Sequence, residues 1–249
     1  MRNAIFAVPL KEAALSIFRT GRVNPHNSKR NTTMDLNHPS ARLIIAECMR
    51  QGLLRNQAAY CLATAWHESG AFKYMREIWG PTAAQKRYEG RADLGNTVKG
   101  DGKKFLGRGF CQITGRRNFT DWGRRLGLDL LKEPQLAEQP EIAVKILVQG
   151  MRLGTFTGRK LSDYITLSKS DFTNARRIIN GTDKAALIAG YAQQFDDLLL
   201  AEQYGIAAAA APSTAPAPQP PKVATPAGVA KPGFWAALIA ILLKLFRRK

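Results

Sequence analysis

The residues best equipped for chemistry gather between Trp66 and Thr114. Trp66-His67-Glu68-Ser69-Gly70 comes first, Arg76-Glu77 follows, and Gly107-Arg108-Gly109-Phe110-Cys111-Gln112-Ile113-Thr114 closes the stretch. Two carboxylates, a glycine-punctuated loop and a hydroxyl at the end of a β-forming run suit hydrolysis of a glycosidic bond. One carboxyl protonates the leaving oxygen and the other activates a water, and an inverting enzyme holds them roughly 6.5–9.5 Å apart. Glu68, at a helix end beside Trp66, suits the acid, because partial desolvation raises a carboxyl. Glu77, in a polar loop next to Arg76, suits the base, and Glu89 in Tyr88-Glu89-Gly90-Arg91 is a second candidate for it. From spacing alone a solvated or capping role for Glu68 is the stronger reading, and Thr114 reads equally as a strand-end or N-cap hydroxyl. His67 either hydrogen-bonds within the site or satisfies a backbone carbonyl.

These residues need elements to hold them. Pro39-Ser40 opens a helix with Leu43, Ile44, Ala46 and Cys48 on its buried face, ended by Gly52. A second helix over about 56–67 carries Ala59, Leu62, Ala63 and Trp66 at i, i+3, i+4 and i+7, a core-facing stripe that leaves Glu68 in its last turn. Gly70 supplies the positive φ that stops it. Residues 82–88 suit one short helix, and short strands around 104–106 and 110–113 predict a small β-hairpin region. Helical signals return at 118–126 (ended by Gly127), from Pro140 to Met151, over 171–179, and over 184–204. Trp66 reads as core, while Trp79 and Trp122 are open between core packing and stacking on sugar rings. The expected class is mainly α with a minor β element.

The order of motifs resembles a known family. His67-Glu68-Ser69-Gly70, then Glu77, then Gly107-Arg108-Gly109 leading into Gln112-Ile113-Thr114, then Asn118-Phe119 and Ile178-Ile179-Asn180-Gly181, is similar to the family 19 chitinases, above all their phage and prophage endolysin branch. The resemblance covers roughly residues 39–205. It implies a lysozyme-like fold, two α-rich lobes with a small β-hairpin region at the cleft between them. It implies Glu68 as general acid, Glu77 as general base and Thr114 as a holder of the attacking water. Gln112, Asn118 and Asn180 match polar positions that line the family's sugar cleft, with His67 and Glu89 beside them. The family's arginine in the last helix is missing here, where Gln193 and Gln194 follow Tyr191. The implied activity is muramidase cleavage of β-1,4 bonds in peptidoglycan. Chitin oligomers are the rival substrate, and a noncatalytic wall-binding module is the rival from another class.

Composition sets the surroundings. The chain has 249 residues and a formal charge of +18, from 37 Lys and Arg against 19 Asp and Glu, so it points to a polyanionic partner. The basic residues are scattered and no nucleic-acid motif accompanies them, so no specific nucleic acid is expected. Cys48, Cys61 and Cys111 lack C-x-x-C spacing, and three histidines are too few for a histidine-rich metal cluster, so neither a disulfide framework, a metal nor a cofactor is expected. The apolar run 4–8 is too short and too broken for a secretory segment of ~7–15 apolar residues, so synthesis in a host bacterial cytoplasm, with export helped by another protein, is expected.

Residues 1–38 read as a basic arm that includes a short helix over 11–19, and 39–206 as the hydrolase domain. Residues 207–232 form an Ala/Pro-rich linker and 233–249 a basic apolar tail. The tail is shorter than the ~20 residues that span a bilayer. Phe234 and Trp235 at one end, with Lys244, Arg247, Arg248 and Lys249 at the other, suit an anionic membrane or lipopolysaccharide, or else a docking partner. The chain is expected to act on the periplasmic wall as a monomer.

Overall fold

A helix buried on every side anchors the computed structural model, which describes residues 33–205. The first 32 residues of the basic arm, the linker and the tail lie outside the described residues. The central helix is α2 (Arg55–Glu68), preceded by α1 (Pro39–Arg50). Every residue of α2 from Gln57 to Glu68 is buried, so the predicted stripe widens to the whole circumference. Ala58, Ala59, Ala63 and Ala65 make this possible, since small side chains let neighbours approach from several directions. Around it pack α1, α6 (Pro140–Leu153) and, most extensively, α7 (Ala185–Ala201).

Helix ends follow the local chemistry. Pro39 occupies the first turn of α1, where the His38 Nδ1 accepts the Ser40 N–H at 3.2 Å. Helix α5 (Arg116–Leu126) stops at Gly127 with φ +68°, and α6 starts on Pro140 and stops at Gly154 with φ +72°. Two single-turn helices, α3 (Ala83–Lys86) and α4 (Asp101–Lys104), interrupt the loop between α2 and α5. The Asp101 carboxylate accepts two hydrogen bonds from Arg116, at 2.7 and 2.6 Å, and so ties α4 to the start of α5.

The mainly α expectation holds, and the β element is smaller than a hairpin. Residues 101–104 are helical, and the pairing among the neighbouring segments reduces to single antiparallel bridges, Arg76 to Arg108 and Arg108 to Ile113. Gly109 at φ +74° and Gln112 at φ +52° leave the extended region within four residues, which ends a ladder before it can propagate. The 171–179 helix is likewise shorter, a 3-10 helix over Asn174–Ile178.

Candidate active site

Glu68 is the last residue of α2, and its carboxylate is 1% exposed. Burial pushes this carboxyl up from its ordinary value, and Arg176 pulls it part of the way back. The negative end of the α2 dipole also disfavours its charged form. Arg176 Nη1 donates to Glu68 Oε1 at 2.6 Å, and its Nε donates to the Asp183 carbonyl at 3.0 Å. Glu68 Oε2 and Arg176 Nη2 are buried beside this pair without a hydrogen-bond partner. Directly after Glu68 the chain reverses: Gly70, Ala71 and Phe72 all have φ between +60° and +63°. The Ser69 hydroxyl bridges this turn, donating to the Ala65 carbonyl at 2.6 Å and accepting the Phe72 N–H at 2.9 Å. Phe72 thereby returns to meet the edge of Trp66, 5.3 Å between ring centroids.

Glu77 is 6% exposed and held by three donors. Oε1 accepts from Gln85 Nε2 at 3.0 Å and from the Tyr88 hydroxyl at 3.3 Å, and Oε2 accepts the Gly107 N–H at 3.0 Å. The cradle is set locally. Thr82 and Gln85 form a capping box at the start of α3, which turns the Gln85 carbonyl oxygen toward the Thr82 N–H at 2.8 Å. That leaves the Gln85 amide nitrogen facing Glu77. Each carboxylate oxygen has two lone pairs, so Oε2 keeps one unused. Gly107 is needed at this point: a Cβ there would stand 2.7 Å from Gln112 Oε1 and 3.3 Å from Glu77 Oε2.

The segment 107–114 borders both acids. Glu68 acts electrostatically on the Cys111 thiol, which burial already pushes up, while Gly107 and Gln112 border Glu77. Gln112 Nε2 donates to the Gly109 carbonyl at 2.8 Å. Thr114 donates its hydroxyl hydrogen to the Gln112 carbonyl at 3.0 Å, which leaves its lone pairs for a water, and the Thr114 carbonyl accepts Asn118 Nδ2 at 2.6 Å. Asn180 shares the Arg176 turn, donating its N–H to the Arg176 carbonyl at 3.0 Å. His67 lies toward α7, with its ring centroid 6.5 Å from that of Tyr191.

Glu89 is exposed, and both of its oxygens are engaged in holding the loop: Oε1 accepts the Gly100 N–H at 2.6 Å and Oε2 the Gly102 N–H at 2.9 Å. Trp66 and Trp122 are both core, at 8% and 2% exposure. Arg176 is the residue that sequence reasoning missed. It lies 108 positions from Glu68, and the only local cue is its place four residues before Asn180.

No family model matches the chain. Curated relatives carry the similarity. An endochitinase of Arabidopsis thaliana is 35% identical over 94 residues, covering 36% of this chain and 33% of that protein. A glycosyl hydrolase family 19 domain-containing protein of Haemophilus influenzae is 29% identical over 137 residues, covering 44% of this chain and 66% of that protein. The chain thus spans between a third and two thirds of the length of these relatives. Chitinase C of Streptomyces griseus superposes with a TM-score of 0.45 at 24% identity, over 58% of this chain and 60% of that one. The chain is similar to glycosyl hydrolase family 19 and its endochitinases.

Proposed function

We propose that the chain hydrolyses β-1,4 glycosidic bonds of bacterial peptidoglycan by inversion, as an endolysin of the phage or prophage type. The observation that carries this reading is the pair of differently housed carboxylates, Glu68 buried with its carboxyl pushed up and Glu77 held by three donors. Pairs of acids whose environments push their roles apart divide into proton donor and proton acceptor. Glu68 gives its proton to the leaving oxygen through Oε2, the oxygen that Arg176 leaves unengaged. Glu77 Oε2 takes a proton from a water that the Thr114 hydroxyl accepts and aims. That water attacks the anomeric carbon as the glycosidic bond breaks, and after product release the two carboxyls exchange protons with solvent. Gln112, Asn118, Asn180 and His67 line the sugar side.

The rival substrate is chitin, which the similarity to a plant endochitinase favours. Digestion of purified peptidoglycan and of chitin oligomers, with mass analysis of the ends, separates the readings. A reducing N-acetylmuramic end supports the proposal. Cleavage of chitin alone replaces peptidoglycan with chitin, an anhydro end indicates a transglycosylase, and no cleavage of either leaves a wall-binding module.

Delivery to the wall belongs to the same proposal. The tail, from Phe234 and Trp235 to Arg247, Arg248 and Lys249, holds anionic membrane or lipopolysaccharide. Deleting residues 233–249 is expected to leave hydrolysis of purified wall intact and to lower liposome binding; unchanged liposome binding would reject the tail's role.

A further inference from the structure

Outside the carboxylate site lies a basic cavity of about 700 Å³, lined by Arg125, Leu153, Thr155, Thr157 and Arg159 with Gly154 and Gly158. The lining holds two guanidinium groups and no acid. Neither arginine is in a salt bridge among the described residues. The Arg125 guanidinium carbon rests over the Trp122 ring, 5.8 Å from its centroid, which orients the planar group and leaves its N–H edges for a ligand. Thr155 Oγ1 is buried in the wall without a hydrogen-bond partner. The Thr157 hydroxyl is occupied, donating to the Arg177 and Ile178 carbonyls and accepting the Arg159 N–H at 3.3 Å, so it braces the loop. Two arginine forks and an unused hydroxyl on a concave wall are a recognition set for a carboxylate-bearing ligand.

The position of the cavity relative to the acids narrows the ligand. Helix α5 links them. Asn118, bonded to the Thr114 carbonyl, and Arg125 are seven residues apart, hence on one face of the helix and about 10 Å apart along its axis. An extended peptide covers roughly 3.3–3.6 Å per residue, so about three or four residues branching from a glycan held at Asn118 would reach the arginines. Peptidoglycan carries such a branch, a short stem peptide rich in free carboxylates. Chitin carries none. Asp121, part-buried on the same face between the two points, discourages an anion from settling short of the cavity.

We infer that the Arg125–Arg159 cavity is a stem-peptide site that binds the carboxylates of the peptide branch while the glycan lies across Glu68 and Glu77. This rests on the reading of the chain as a glycan hydrolase. It assigns the choice of peptidoglycan over chitin to groups remote from the catalytic carboxylates.

The test uses the full chain, with Arg125→Ala/Arg159→Ala as a double variant and Thr155→Val as a nearly isosteric single one. Substrates are intact peptidoglycan and the same glycan stripped of stems by an amidase. The double variant is expected to raise KM about tenfold on stem-bearing wall with kcat retained, and to match the wild type within about twofold on stripped glycan. Thr155→Val should shift KM the same way by a smaller factor, with an unchanged thermal midpoint. A soluble, carboxylate-bearing stem tetrapeptide, titrated into the Glu68→Gln protein, should bind and lose about tenfold in affinity when the two arginines are removed. Equal loss on both glycans, or no loss on either, would overturn the stem site while leaving the hydrolase reading intact. Absence of cleavage of any glycan by the wild type would remove the hydrolase reading, and the tetrapeptide titration would still decide the site.

Discussion

Replacing Arg176 with Met tests whether the buried pair at the end of α2 behaves as the geometry requires. Met keeps most of the side-chain volume and removes the charge, so the variant isolates electrostatics from cavity formation. Glu68 is then left as a carboxylate 1% exposed with no counter-ion, and it protonates rather than stay charged. Keeping it protonated at pH 7 against an unfolded value of about 4.3 costs folding at most about 3.7 kcal/mol. At pH 5 the same ceiling falls to about 1 kcal/mol. The hydrogen bond to the Asp183 carbonyl is also lost, adding about 1 kcal/mol at every pH. The wild-type carboxyl is itself raised, so a difference of about 2–4 kcal/mol is expected at pH 7. A carboxyl raised on folding favours the folded state fully below about pH 4.3, and that benefit is lost as pH climbs through the folded value. Removing Arg176 raises the folded value further, so the gap between variant and wild type opens from pH 5 to pH 8. Urea midpoints at unit steps across that range, with a constant m-value, read the gap directly. A gap independent of pH, or wider at pH 5 than at pH 8, would refute the claim that Arg176 pulls the raised Glu68 carboxyl part of the way back.

Four further outcomes follow from the site geometry. Glu68→Gln is expected to lower kcat on the cleaved glycan at least about 10²-fold while the inactive protein still binds it, as read by turnover and by pull-down on insoluble substrate. Glu77→Gln turns an amide N–H toward donors that now meet oxygen, so about 1–3 kcal/mol of stability should be lost together with activity; Glu89→Ala should loosen the Gly100–Gly102 turn and leave the acid limb of the pH–rate profile in place. Gly107→Ala forces a methyl against Gln112 Oε1 and Glu77 Oε2, and kcat should fall tenfold or more while the unfolding free energy from urea titration drops by about 1–2 kcal/mol.

What could be seen in the sequence was local. Pro39, Gly127, Pro140 and the positive φ of Gly70 bound helices within a few residues, because capping is decided by the residues at the cap. The 104–113 run looked like a hairpin because Phe105, Leu106, Phe110 and Ile113 are β-formers. They are buried all the same, but in a looped segment pinned by Gly107 and Gly109 rather than in a ladder. The Glu77 cradle was half legible, since the Thr82/Gln85 capping box follows from spacing, whereas the contact of its far end with Glu77 depends on how the loop folds back. Arg176 was illegible for a stronger reason: nothing near Asn174–Ile178 declares that a charge will be buried, and its partner is supplied by another part of the chain.

The reversal at Gly70-Ala71-Phe72 makes handedness a design variable for the site. Three consecutive residues there have the backbone of a left-handed helix, and only the first lacks a Cβ. For L-residues that conformation costs roughly 1–2 kcal/mol each, and for their mirror images it is the relaxed state. A semisynthetic chain carrying D-alanine at position 71 would therefore fold to the same turn with less strain. The helix end that carries Glu68 would then be held more firmly by a change of stereochemistry at a single atom, with no side-chain contact added.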